Sequence, residues 1–165
     1  MSSGYIIPQP IGLFDDASGL WKHWVPYVAQ NADGTWLAVR LGAPYSDGAS
    51  IPTRALQALV GPRYGSTSFP PAFFHDMGYV AEIASRKVLD MWFYWHLRQR
   101  NSRILSATYW AVVDRLGETA WKRHTPESVA EARKYIRLFA TEGEATRWAN
   151  GDEVCEMEGG GLWLV

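Results

Sequence analysis

Between Pro70 and Gly117 the chain signals three helices in succession, and no other feature limits its fold as strongly. Pro70-Pro71 opens a helix predicted over about 71–84, because proline is tolerated in a first helical turn. Ser85 is placed to cap a second helix reaching about Arg100. Ser102 is placed to cap a third, over 103–116, with Gly117 as its stop. Trp121 then falls in a connector, and Pro126 opens a fourth helix predicted to reach about Thr141. Upstream, Ser50 is placed to cap a short helix from Ile51 or Pro52 to about Val60, which Gly61-Pro62 ends.

The first third carries the opposite signals. Trp21 to Gln30 is rich in aromatic and β-branched residues, and Thr35 to Leu41 alternates in part. Asn31-Ala32-Asp33-Gly34 between them is a turn sequence, so a β-hairpin is predicted. Tyr5 to Phe14, with two prolines, adds an edge strand or runs extended. The expected fold class is therefore α+β: a small antiparallel sheet over 1–45, then a bundle of about four helices over 50–148. The length of 165 residues suits one domain. The glycine-rich tail over 150–165 ends on Leu162-Trp163-Leu164-Val165 and is expected to dock on the core or on a partner.

Net charge is -1, so no global field draws the chain to nucleic acid. Arg98, Arg100 and Arg103 cluster, but acids elsewhere balance them, as on a solvated face. One cysteine, Cys155, makes no internal disulfide. No apolar run has the length of a membrane span, and Met1-Ser2-Ser3-Gly4 lacks the features of a signal peptide. Nine Trp, eight Tyr and six Phe suit either a bulky core or a protein interface.

The first long helix is apolar on most of its circumference, through Phe73, Phe74, Met77, Gly78, Val80 and Ala81. It nonetheless holds His75 and Asp76, with Tyr79 one turn beyond His75. The second helix repeats the pattern: Asp90 interrupts Val88, Leu89, Met91, Trp92 and Phe93, and Arg86 lies one turn before it. Polar groups in apolar surroundings need partners. If the two helices pack antiparallel, Asp90 approaches His75, and a carboxylate holding an imidazole is the usual arrangement of a general base. Asp76 then points elsewhere and is a candidate cation ligand, with Asp47 as a second. The plainer alternatives are a satisfied core histidine, an Arg86–Asp90 pair within one helix, and Asp47 and Ser50 as turn and cap residues. Phosphate loops, zinc spacings among His23, His75, His96 and His124, and a Gly-x-Ser-x-Gly elbow are all absent from the sequence.

Asp47-Gly48-Ala49-Ser50-Ile51-Pro52, His75-Asp76-x-x-Tyr79, Arg86 with Asp90, and Tyr109-x-x-Val112 before Gly117 and Trp121 together resemble a phage- and prophage-encoded domain family of unknown function. The resemblance spans about 46–121, with Leu89 where the family pattern has Ala. It implies a phage setting and no particular reaction. More distantly, the helical site is similar to prokaryotic-type secreted phospholipase A(2). That similarity implies His75 as the base activating water, Asp90 as its orienter, Asp76 as a calcium ligand, and Tyr79 as support. The flanking cysteines of that family are absent, and only Asp47-Gly48-Ala49 stands near its calcium loop.

Two functions are expected from these residues. One is a virion- or tail-associated protein with a His75–Asp90 site for ester or amide hydrolysis of envelope or cell-wall material, supported by Tyr79, Arg86 and Ser50. A divalent cation such as calcium would sit at Asp76 and Asp47. The other is a structural tail-tip, baseplate or assembly component, with other phage structural proteins as partners and the cluster as a buried hydrogen-bond network. Either places the chain in the virion or the host cytoplasm.

Overall fold

The computed structural model describes residues 7–48 and 67–152. Ser50, the predicted 51–60 helix and the apolar tail lie outside them. The described chain is α+β. Four strands, β1 (Gly12–Asp15), β2 (Leu20–His23), β3 (Tyr27–Gln30) and β4 (Trp36–Val39), precede the helices. Then come α1 (Phe69–Val80), α2 (Arg86–Arg98), α3 (Arg103–Trp121), α4 (Pro126–Ala132), β5 (Ile136–Phe139) and α5 (Glu142–Ala149).

The hairpin forms as predicted: β3 and β4 pair antiparallel, with Gln30 opposite Trp36 across the Asn31–Thr35 turn. Gly34 takes the positive φ (91°) that this turn demands. The segment 21–30, read as one strand, is two. Its first part, β2, pairs with β1, and its second part pairs with β4. Pro26 lies between them, and a residue without an N–H interrupts a ladder. Of the stretch 5–14, expected as an edge strand or extended, only its end from Gly12 enters β1, and residues 7–11 lie in no strand.

The largest correction lies after Pro126. The predicted helix to Thr141 stops at Ala132, and 136–139 form β5 on the free edge of β4, with Val39 opposite Ile136 and Trp36 opposite Phe139. Thr125 caps α4 with a reciprocal capping box through Ser128, and Thr141 caps α5. β4 is thereby the centre of the three-stranded sheet β3-β4-β5, and all four of its residues are buried. The pleat sends Leu37 and Val39 to one face, where Phe69, Phe73, Phe74 and Met77 of α1 form the main core with Trp21 and Tyr27. Trp36 and Ala38 face the other way, onto Ala145, Trp148 and Ala149 of α5.

α1 is thus covered on both sides. Its sheet-facing rings pack edge-on, Phe73 lying 5.0 Å from Tyr27 and 5.5 Å from Trp21. Its far side meets α2 and α3 through Ala72, Phe93, Leu97 and Tyr109. Ser85 stands at the start of α2 without a side-chain cap bond, whereas Ser102 caps α3 by accepting from the Leu105 N–H (3.2 Å). Gly117 does not end α3. The helix continues through it to Trp121, which is therefore the last helical residue rather than part of a connector. No described helix is long and apolar enough to cross a membrane.

Candidate functional site

His75 and Asp90 meet where α1 and α2 pack. The imidazole Nε2 lies 2.9 Å from Asp90 Oδ1, and both residues are buried, His75 at 8% exposure and Asp90 at 1%. A carboxylate can only accept, so Nε2 carries the proton of this bond, and in the neutral ring the lone pair is on Nδ1. The ring also lines a cleft, described below, that could hold a water. The antiparallel approach of the two helices is what brings together residues fifteen positions apart.

Asp90 is fixed from its other side. Arg86 Nη1 donates to Asp90 Oδ2 (3.1 Å) and to the Asp114 carbonyl of α3 (2.9 Å). The expected pair along one helix is therefore also a tie between two helices. Arg86 supplies the positive charge that a nearly dry carboxylate requires.

Tyr79 follows His75 by one turn, and their rings lie 4.7 Å apart. Its hydroxyl is buried and makes no well-formed hydrogen bond among the described residues. Burial and the neighbouring Asp90 charge push the phenol up to about 12, against the opposing pull of Arg86, so it stays protonated at any ordinary pH.

Asp76 points to a different side, as its helical position requires. Its carboxylate accepts a short hydrogen bond from the Ser46 hydroxyl, whose oxygen in turn accepts from the Gly48 N–H (3.0 Å). The Ser46–Gly48 turn is brought to α1 by a backbone bridge: Trp21 N–H donates to Ser46 O (2.7 Å), and Ser46 N–H donates back to Trp21 O (3.2 Å). Burial, then the charge of Asp47, push the Asp76 carboxyl well above the usual range, and Ser46 opposes them. Ser46 was not foreseen as a site residue. The signal was there in Ser-Asp-Gly, since a serine two residues before a glycine closes its own turn by accepting that N–H.

His75, Asp76 and Tyr79 line one cleft of about 240 Å³, with Asp90, Arg86 and Ser46 behind them rather than on its wall. Asp47, Gly48, His75 and Asp76 are among its lining residues, together with the apolar Phe93, Val112, Val113 and Leu116 and with Tyr109. Asp47 is exposed and Asp76 half-buried. Of the residues singled out in the sequence, His75, Asp90, Tyr79, Arg86, Asp76 and Asp47 therefore converge on one region, and Ser50 lies outside the described residues. Among the described residues no group of three or more His, Cys, Asp or Glu side chains could hold a metal ion. Asp47 and Asp76 are hard oxygen donors of the kind calcium takes, and they supply part of its usual six to eight ligands.

Such an arrangement can take a proton from a water in the cleft at Nδ1 and hold the resulting imidazolium against Asp90. No protein-family model matches the chain, and neither a curated protein nor a solved structure is significantly similar to it.

Proposed function

We propose that this chain is a phage-borne, virion-associated protein whose His75–Asp90 pair activates water for hydrolysis of an ester or amide in envelope or cell-wall material. The observation that carries the hydrolytic reading is the 2.9 Å contact between His75 Nε2 and Asp90 in a cleft that His75 also lines. His75 removes the water proton at Nδ1 as oxygen attacks the carbonyl, and the imidazolium returns that proton to the leaving alcohol or amine as the tetrahedral adduct collapses and the C–O or C–N bond breaks. Asp90 holds the tautomer and stabilises the charged ring, and Arg86 orients Asp90. A divalent cation such as calcium would bind at Asp76 and Asp47, where it would relieve their repulsion and polarise a bound oxygen. The phage setting rests on the sequence motifs.

The test is hydrolysis of phospholipid vesicles and of peptidoglycan by the wild type and by His75→Ala, with and without added calcium. Activity in the wild type that drops by at least about 10² in the variant supports the reading. Equal activity, or none in the wild type, sinks it.

A second reading is favoured by the exposed apolar residues of the first hairpin and its flank, Leu13 (56%), Phe14 (45%) and Trp24 (59%). Such a surface suits contact with other phage structural proteins, with the cluster acting as a tie between α1, α2 and α3. Particle assembly with Leu13→Ser and Trp24→Ser chains measures this. Undiminished incorporation refutes a role for that surface.

A further inference from the structure

Gly117 and Trp121 belong to the motif that links this chain to the phage family, yet nothing in the hydrolytic reading uses them. The structure places both around Tyr79. Gly117 sits inside a nineteen-residue helix, where glycine is a poorer helix former than alanine. Its φ is not in the left-handed region, so the backbone does not demand glycine. Space does. A Cβ at Gly117 would lie 2.5 Å from the Tyr79 hydroxyl oxygen, closer than real contacts allow. The phenol is a rigid ring end and cannot bend away as a flexible chain would.

Tyr79 is held from behind as well. Trp121 meets its ring edge-on at 4.8 Å, and His124 does so at 5.9 Å. His124 is itself fixed by Glu82, with Nδ1 3.0 Å from the carboxylate. On its other side Tyr79 lies against the His75 imidazole at 4.7 Å, and Phe93 contacts that imidazole at 5.0 Å. The imidazole is tethered through Cβ and hydrogen-bonded to Asp90 through Nε2, which still leaves the ring some freedom to tilt. The neighbouring rings remove that freedom.

We infer that Gly117 is a positioning residue for His75: it leaves the space in which the Tyr79 hydroxyl rests against α3, and Tyr79, backed by Trp121, sets the plane of the imidazole. This deepens the hydrolytic reading, but the geometry can be tested without any activity.

The experiment compares wild type, Gly117→Ala, Tyr79→Phe and the double variant by NMR at one fixed pH. The readouts are the His75 ring-proton shifts, which the Tyr79 and Phe93 ring currents displace, and the His75–Tyr79 ring Overhauser contact. Gly117→Ala is expected to lose that contact and move the shifts. The double variant, with no hydroxyl to collide, is expected to return to the values of Tyr79→Phe alone. Wild-type shifts in Gly117→Ala overturn the inference, as does a double variant that stays displaced. If Gly117→Ala does not fold, the double variant decides: folding with Tyr79→Phe values supports the inference, and failure to fold overturns it. If the wild type hydrolyses a substrate, Gly117→Ala should lower kcat about tenfold or more with KM little changed, since small misplacements of a base act on the chemical step. A wild type without hydrolysis refutes the proposed function and leaves the NMR result to judge the positioning.

Discussion

His96 lies on α2, six residues beyond Asp90, and is fully buried. Its Nε2 donates to the Gln30 carbonyl at 3.0 Å, and its Nδ1 is buried without a partner. Protonation would put an unpaired N–H into a dry core, and burial accordingly lowers its pKa from 6.5 to about 4. The folded state therefore binds fewer protons than the unfolded state between those values, and stability rises with pH across the window. The stabilisation is complete above about pH 6.5 and is lost progressively as pH falls towards 4. A difference of about 2.5 units at about 1.4 kcal/mol each gives roughly 3 kcal/mol, a large share of the 5–15 kcal/mol that holds a typical domain. His96→Gln keeps a donor for Gln30 and removes the titration. Urea unfolding of both proteins at pH 7 and pH 4 should show the wild type losing roughly 3 kcal/mol more than the variant. His23, also lowered by burial, acts in the same direction, and Asp76, raised, acts in the opposite one. Both are common to the two proteins and cancel in the comparison. Parallel losses in wild type and variant would refute the assignment of this acid sensitivity to His96. The result also matters for the site, because a fall in hydrolysis below pH 6 must be separated from loss of the fold.

Two further substitutions examine the polar cluster. Asp90→Ala removes the acceptor of both Arg86 and His75, and leaving the Arg86 charge uncompensated should cost about 3–5 kcal/mol in urea unfolding; a loss below about 1 kcal/mol would mean that Arg86 reaches solvent instead. Ser46→Ala removes the hydroxyl that opposes the rise of Asp76, so the Asp76 carboxyl should titrate still higher when followed by carbon-13 NMR. An unchanged or lower midpoint would contradict the Ser46 contact. Asp76 favours its acid form in the fold, so its contribution is present below about pH 3.8 and is lost as pH rises through its elevated folded value.

The sequence by itself determined what depends on neighbours along the chain. Ser102 caps α3, Pro126 opens α4, and the Asn31–Thr35 turn joins β3 to β4, because caps and tight turns are set by a few adjacent residues. The His75–Asp90 pairing was legible for a related reason: two helices joined by a short turn have little choice but to pack antiparallel, and each carried one polar interruption on an apolar surface. Tertiary structure decided the rest. Residues 136–139 become β5 because β4, about a hundred residues earlier, offers an unpaired edge, and no local pattern records that edge. Ser46 reaches Asp76 only because its backbone bridges to Trp21. Gly117 read as a stop because glycine commonly ends helices, whereas here it is the missing side chain that counts. What occupies its space is the hydroxyl of Tyr79, from a helix nearly forty residues away, and only the folded chain brings that atom there.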